Sequence, residues 1–382
     1  MNFILIVSYM PITSEDLDFY IEGYPTGYCW IDYLTGVPGV FFPQGAITEV
    51  MGLKSTGKTS LIFEAIGAYH RNGGKKKTLY LDFERTVKKQ ANYLAALGVD
   101  IANEDLFRYE QPSTLQEGGD MILKLLRNKK KGETQQEYAF IVVDTVAAMR
   151  PEQEISNNLG ETKQQGLRGK LMSELLRNLT SDLEADGPAV IFVNQIYEQI
   201  SINKGPASAF MPTSYDSSAS NALKYYASFR VSLTLKSKLK SKSINPFTFE
   251  EEETFVGSVV EAMAEKSKIG VPFRKARFVV KYGYGIDPIP TLVSAGINKP
   301  GDIPIIKVEG NKSIFSYHLG DGQYSQRFKG LSSLQKFLTE NHNEVVNIAN
   351  QISPAWGECM ASFSKRAPGT FSQSEEDSTE DI

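Results

Sequence analysis

Gly52, Gly57, Lys58 and Thr59 stand in the spacing Gly-x4-Gly-Lys-Thr. The run Gly52-Leu53-Lys54-Ser55-Thr56-Gly57-Lys58-Thr59-Ser60 follows an apolar, β-branched stretch and opens a helical pattern, which is the context a phosphate-binding loop requires. Glycines let backbone N–H groups close around phosphate oxygens, and a helix N-terminus adds favourable partial charge. In such a loop Lys58 reaches the β- and γ-phosphates and the Thr59 hydroxyl ligates Mg2+, which makes ATP with Mg2+ the expected ligand. Asp144 ends the run Phe140-Ile141-Val142-Val143, so its carboxylate emerges at the C-terminal edge of a strand and is the natural Mg2+ partner. Glu84 follows Leu79-Tyr80-Leu81-Asp82-Phe83, and a carboxylate there either activates the attacking water or stabilises a helix N-terminus. Gln195 closes Val190-Ile191-Phe192-Val193-Asn194, and its neutral amide can bond a γ-phosphate or the water.

These residues need a sheet whose strand ends share one edge. From Ala46 to Gln195, short apolar runs alternate with helical patterns, the signature of a parallel sheet covered on both faces. The predicted strands are Ala46–Met51, Thr78–Phe83, Leu106–Tyr109, Phe140–Val143 and Ala189–Val193. Helical composition marks Ser60–His70, Val87–Leu97, Thr114–Arg127 and Lys170–Leu183. Beyond Arg230 the pattern turns to strands joined by polar turns, Arg230–Leu235, Val256–Met263 and Arg277–Tyr282, which extend the same sheet. Lys236, Lys238, Lys240 and Lys242 alternate along one stretch and Glu250 to Glu253 follow Asn245-Pro246, so a hairpin can set lysines opposite carboxylates as a solvated ribbon or a binding surface. Residues 291–352, with a helical Leu331–Leu338, read as a small C-terminal α/β domain.

A chain of 382 residues, 41% hydrophobic, can bury a substantial core. Cys29 and Cys359 lie far apart with no metal-ligand spacing, which argues against a disulfide framework or zinc site and fits a reducing cytoplasm. The apolar run Met1 to Val7 is too short for a signal peptide or membrane span and reads as a short strand or a misassigned start. Net charge is only −4, but the segment Ser374 to Asp381 is acidic and of low hydrophobicity, a disordered tail by composition. The remainder is near neutral, with room for a local basic groove.

Together these residues resemble the bacterial RecA recombinases, from about Thr26 to Asp287 with a weaker echo to about Val346. The most specific piece is Asn221-Ala222-Leu223-Lys224-Tyr225-Tyr226-Ala227-Ser228-Phe229-Arg230. Others are Leu81-Asp82-Phe83-Glu84, Val142 to Ala148, Val193-Asn194-Gln195-Ile196 and Lys266-Ser267-Lys268-Ile269 before Pro272-Phe273. The resemblance implies a RecA-like ATPase core over residues 26–290, with residues 1–25 as a short oligomerisation segment and 353–382 as a tail. It implies that Glu84 activates water, that Gln195 senses the γ-phosphate, that Tyr93 stacks on adenine and that Tyr282 lies near the nucleotide. Without it, Tyr93 is an ordinary core aromatic. Lys266 and Lys268 match lysines that reach the ATP of the adjacent subunit; as bare sequence they are solvated surface.

For DNA, the resemblance makes residues 151–169 and 196–220 the two binding loops. Lys170 and Arg177, seven apart and so on one helix face, become phosphate contacts, with Asn221 beside the second loop; the plain alternative is a polar helix face. The implied activity is a DNA-dependent ATPase that forms head-to-tail filaments on single-stranded DNA and exchanges strands with duplex DNA. A ring-forming motor such as a helicase, or a regulatory paralogue without strand exchange, shares the same core. The Asn221–Arg230 run favours the filament, and Glu84 counts against the paralogue. The chain departs from the family at Ala219-Ser220, where a Gly-Gly pair is expected, at Tyr197 in place of a basic residue, and at Lys54 in place of an acid.

Overall fold

The computed structural model describes residues 21–363 except 131, 157–165, 199–214, 218–221, 245, 246, 248 and 300–302. Its centre is a ten-stranded sheet. In spatial order the main path runs Gly285–Asp287, Lys275–Lys281, Glu251–Ser267, Phe229–Ile244, Ile47–Gly52, Ala189–Glu198, Tyr138–Asp144, Lys77–Asp82 and Phe107–Glu110. Every pairing from the Phe229 strand to the Phe107 strand is parallel; the pairings beyond Phe229 are antiparallel.

Alternation of side chains across the parallel strands explains why both faces are apolar. Tyr80, Val142 and Ile191 point to a core shared with Leu61, Phe63 and Ile66 of the helix Lys58–Arg71. Leu79, Ile141, Val190 and Phe192 point the other way, to Ile122 and Leu126 of Leu115–Arg127 and Leu175 and Leu179 of Leu167–Asp182. Each fully buried Leu, Ile or Phe contributes about 1.5–3 kcal/mol. Local signals set the helix ends: Thr114 accepts from Glu117 N at 3.0 Å, and Asp287 caps Pro288–Asn298 by accepting from Ile289 N at 3.0 Å.

Several boundaries differ from the sequence reading. Val87–Leu97 divides into a tight turn, Val87–Gln90, and a short helix, Ala91–Ala96. The Ala189 strand continues to Glu198 because Tyr215–Ser217, inside the expected second loop, pairs with it antiparallel. The lysine-rich stretch forms the expected hairpin, longer than predicted, from Phe229–Ile244 and Glu251–Ser267. Lys240 meets Glu253 at 2.8 Å and Lys242 meets Glu251 at 3.4 Å. Lys236 pairs with Glu261 at 2.9 Å, an acid shared with Arg277.

After helix Pro288–Asn298 the chain forms a small sheet, Ile306–Glu309, Ile314–Tyr317 and Phe328–Lys329, and the helices Leu331–Glu340 and His342–Ile352. Residues 354–363, read as the start of the tail, form a further helix anchored by Trp356 against Trp30, ring centroids 4.9 Å apart. Among the described residues no helix is long and apolar enough to cross a membrane. The acidic stretch from 374, residues 1–20 and Ala219-Ser220 lie outside the described residues.

Candidate nucleotide site

Strand register sets the site. Gly52 is level with Gln195, and Asp82 with Asp144, so these strands end on one edge. The loop Leu53–Gly57 turns tightly from the Ile47–Gly52 strand into the helix Lys58–Arg71. A Cβ on Gly52 would sit 2.6 Å from Thr56 Oγ1 and 2.7 Å from Leu233 O, and Gly57 has φ +77°, so side chains are excluded where the backbone folds closest. The loop opens on a cleft of about 760 Å3, lined by Lys54 to Ser60 together with Glu84, Asp144 and Gln195. That volume is within the range of small-molecule sites.

Lys58 is buried, and its Nζ donates to Gly52 O at 3.0 Å and Leu53 O at 2.6 Å, folding back on its own loop. Burial lowers its pKa to about 8, opposed by the nearby Asp144 and Glu84 carboxylates. Asp144 is 4% exposed. Its Oδ2 accepts from Tyr80 OH at 2.6 Å and from Thr59 Oγ1 at 3.1 Å. Burial pushes its pKa up to about 6, against the two hydroxyl hydrogen bonds and with the Glu84 and Asp82 carboxylates adding to the rise. Glu84 is exposed at the rim, and its Oε1 accepts from Gln195 Nε2 at 2.7 Å. The water-activating and sensing candidates are thus in direct contact.

The donor set suits Mg2+. Thr59 and Asp144, in contact at the foot of the cleft, would supply hard oxygen ligands, and Mg2+ takes one or two protein oxygens with substrate phosphates and waters completing its shell. Among the described residues no group of three His, Cys, Asp or Glu could hold a metal by itself.

The remaining sequence candidates divide. Tyr93 is half-buried against the core, and its hydroxyl donates to Ser60 Oγ at 3.1 Å, beside the cleft. Tyr282, 40% exposed, does not line the cleft. Lys266 and Lys268 are at the opposite end of the sheet. Lys266 is level with Arg230, Lys268 N donates to Ser228 O at 2.8 Å, and Ser228 N donates to Ile47 O at 2.8 Å, where the phosphate-loop strand begins. From Ile47 to Gly52 is roughly 16 Å of extended chain. Lys266 Nζ donates to Lys224 O at 2.8 Å and Tyr225 O at 3.0 Å, capping the helix Ala222–Tyr226. Burial lowers its pKa, with Lys268 and Arg230 adding to the effect. Lys268 is exposed. Lys170 and Arg177 share the exposed face of Leu167–Asp182 with Glu174 between them. Asn221 and most of both expected DNA loops lie outside the described residues.

Sequence reasoning missed the scaffold behind the cleft. Glu49, wholly buried in the phosphate-loop strand, accepts from Arg230 Nε at 2.5 Å and from Asn194 Nδ2 at 2.8 Å. The signal was an acid inside an apolar run, which must find a partner. Asp82 Oδ2 likewise accepts from Val87 N at 2.9 Å and Tyr109 OH at 2.8 Å.

Comparison with known proteins identifies the family. Residues 7–287 match the family model described as RecA N-terminal domain. The Protein RecA of Tropheryma whipplei (strain Twist) is 31% identical over 333 residues, 87% of this chain and 66% of that protein. The Protein RecA of Bartonella quintana (strain Toulouse) is 31% identical over 349 residues, 91% of this chain and 86% of that protein. That of Bacteroides thetaiotaomicron is 31% identical over 306 residues, 79% of this chain and 81% of that protein. On these matches the chain belongs to the RecA family of DNA-dependent ATPases, recombinases that act in recombination and repair.

Proposed function

We propose that the protein assembles head-to-tail on single-stranded DNA into a helical filament in the cytoplasm, holds ATP and Mg2+ between subunits, and catalyses homologous pairing and strand exchange with duplex DNA. In this reading Lys54 to Ser60 hold the phosphates, Thr59 and Asp144 hold the metal, and Tyr93 and Tyr282 flank the base. Bound Mg2+ neutralises charge on the phosphates. Glu84 takes the proton of the attacking water, and Gln195 exchanges its bond to Glu84 for the γ-phosphate and carries that change into residues 196–220. Lys170, Arg177 and Asn221 contact DNA.

The observation that carries this reading is the placement of Lys266 and Lys268 at the end of the sheet away from their own phosphate loop. From there neither lysine serves the nucleotide of its own chain, which supports a role at a neighbouring subunit's nucleotide, and a heterologous contact that does not close produces a filament. Two cations supplied in trans make hydrolysis depend on assembly, as arginine fingers do. Electron microscopy with ATP and single-stranded DNA, followed by a strand-exchange assay, tests it. Filaments active in exchange are expected; closed rings, or filaments inactive in exchange, would overturn it.

A further inference from the structure

We propose that Tyr80 is a positioning residue for the metal-side carboxylate: its hydroxyl fixes Asp144 from the protein interior so that Thr59 is free to turn to a cation. This rests on the reading of Thr59 and Asp144 as the Mg2+ side of the cleft.

Tyr80 has two separable parts. Its ring is fully buried, stacked on Phe63 of the phosphate-loop helix (centroids 5.0 Å, interplanar 12°) and tilted against Phe107 of the edge strand (5.8 Å, 31°). Phenylalanine would satisfy that packing equally well. The hydroxyl has a different task, because a buried tyrosine O–H needs an acceptor, and this one donates to Asp144 Oδ2 at 2.6 Å. A fully buried ring packed against both the helix and the edge strand gives that bond a fixed direction.

Oδ2 carries a second donor, Thr59 Oγ1, at 3.1 Å. The two donors are not equivalent. Thr59 lines the cleft, whereas Tyr80 approaches from the core. When the Thr59 hydroxyl is given to a cation, the bond from Tyr80 keeps the carboxylate oriented, which is how outer-shell partners of metal ligands act. The need is acute because Glu84 and Asp82 crowd Asp144 with like charge.

The molecule supplies its own control one strand away. Tyr109 donates to Asp82 Oδ2 at 2.8 Å, the same tyrosine–carboxylate chemistry, but Asp82 does not line the cleft. Loss of the Tyr109 hydroxyl should leave metal binding alone.

The test is binding of a fluorescent ATP analogue to the full chain in EDTA and across a Mg2+ titration, for wild type, Tyr80→Phe, Tyr109→Phe and Asp144→Asn. Tyr80→Phe is expected to bind the analogue unchanged in EDTA, with the Mg2+ concentration for half-maximal coupling raised about 10–100-fold. Tyr109→Phe is expected to titrate like wild type. A wild-type Mg2+ response in Tyr80→Phe, or an equal shift in Tyr109→Phe, would overturn the proposal. So would a Tyr80→Phe chain that fails to fold, since the hydroxyl would then be structural. Asp144→Asn separates the two levels: if it leaves the Mg2+ response intact, the reading of the metal side fails, whereas a normal Tyr80→Phe beside a defective Asp144→Asn removes only the role of Tyr80.

Discussion

The two ends of the parallel sheet carry opposite kinds of chemistry. At the C-terminal edge the polar groups around the cleft hold one another: Lys58 bonds its own loop, Asp144 takes two hydroxyls, and Glu84 and Gln195 are joined. At the other end, Tyr225 is 75% exposed, Val271 61% and Phe273 66%, beside an exposed Lys268. Phe273 also has φ +66°, a strained conformation for a bulky residue. One edge is satisfied within its own chain, and the other presents a cation and apolar side chains outward. That contrast is what a protein needs if its nucleotide is to sit between copies of itself.

The largest expected effect breaks the first edge. Glu84→Gln should lower DNA-dependent ATP hydrolysis by about 10²–10⁴-fold, the usual contribution of a general base, while nucleotide binding persists. Steady-state hydrolysis beside equilibrium binding checks this. Next comes the scaffold between the edges. Arg230→Ala leaves Glu49 buried with only the Asn194 amide on its carboxylate, and should cost about 3–5 kcal/mol in denaturant unfolding.

A smaller perturbation probes the second edge alone. A Cβ on Gly270 would lie 2.0 Å from Thr35 O, so Gly270→Ala must shift the loop after Lys268. We expect about 1–3 kcal/mol of destabilisation, as for other overpacked sites, and reduced hydrolysis although every cleft residue is intact. Unchanged hydrolysis in that variant would separate the two edges functionally. A pH-dependent effect concerns the helix Cys29–Asp32, next to that loop. Burial pushes the Asp32 carboxyl up to about 7, against hydrogen bonds from Thr26 N and Oγ1. Its folded pKa lies above the unfolded value of about 3.9, so the stability it contributes is complete below that value and is lost as pH rises through about 7. Thermal unfolding between pH 4 and about 8 should show that decline, and Asp32→Asn should flatten it.

Much of the first edge was legible in the sequence because strands advertise their ends. Asp144, Glu84 and Gln195 each terminate or follow an apolar run, and parallel register places such termini together. The alternating lysines followed by glutamates gave the hairpin for a similar reason, period-two spacing being a local signal. What was not legible is the pairing across strands. Arg230 and Glu49 are 181 residues apart, and Tyr80 meets Asp144 across 64. Only the register decides such contacts. Nor could spacing reveal that Lys266 caps the helix Ala222–Tyr226, or that Tyr215–Ser217 would lengthen the strand bearing Gln195.

The most direct test of the split site mixes two defective chains. Lys58→Ala removes the phosphate-loop cation and Lys268→Ala removes the exposed cation at the far edge, so each alone should hydrolyse little ATP on single-stranded DNA. In an equimolar mixture, random assembly gives roughly a quarter of the interfaces an intact loop from one chain and an intact Lys268 from its neighbour. This share of wild-type hydrolysis is expected to return on mixing. Full activity of Lys268→Ala by itself, or co-assembled chains that recover nothing, would contradict it.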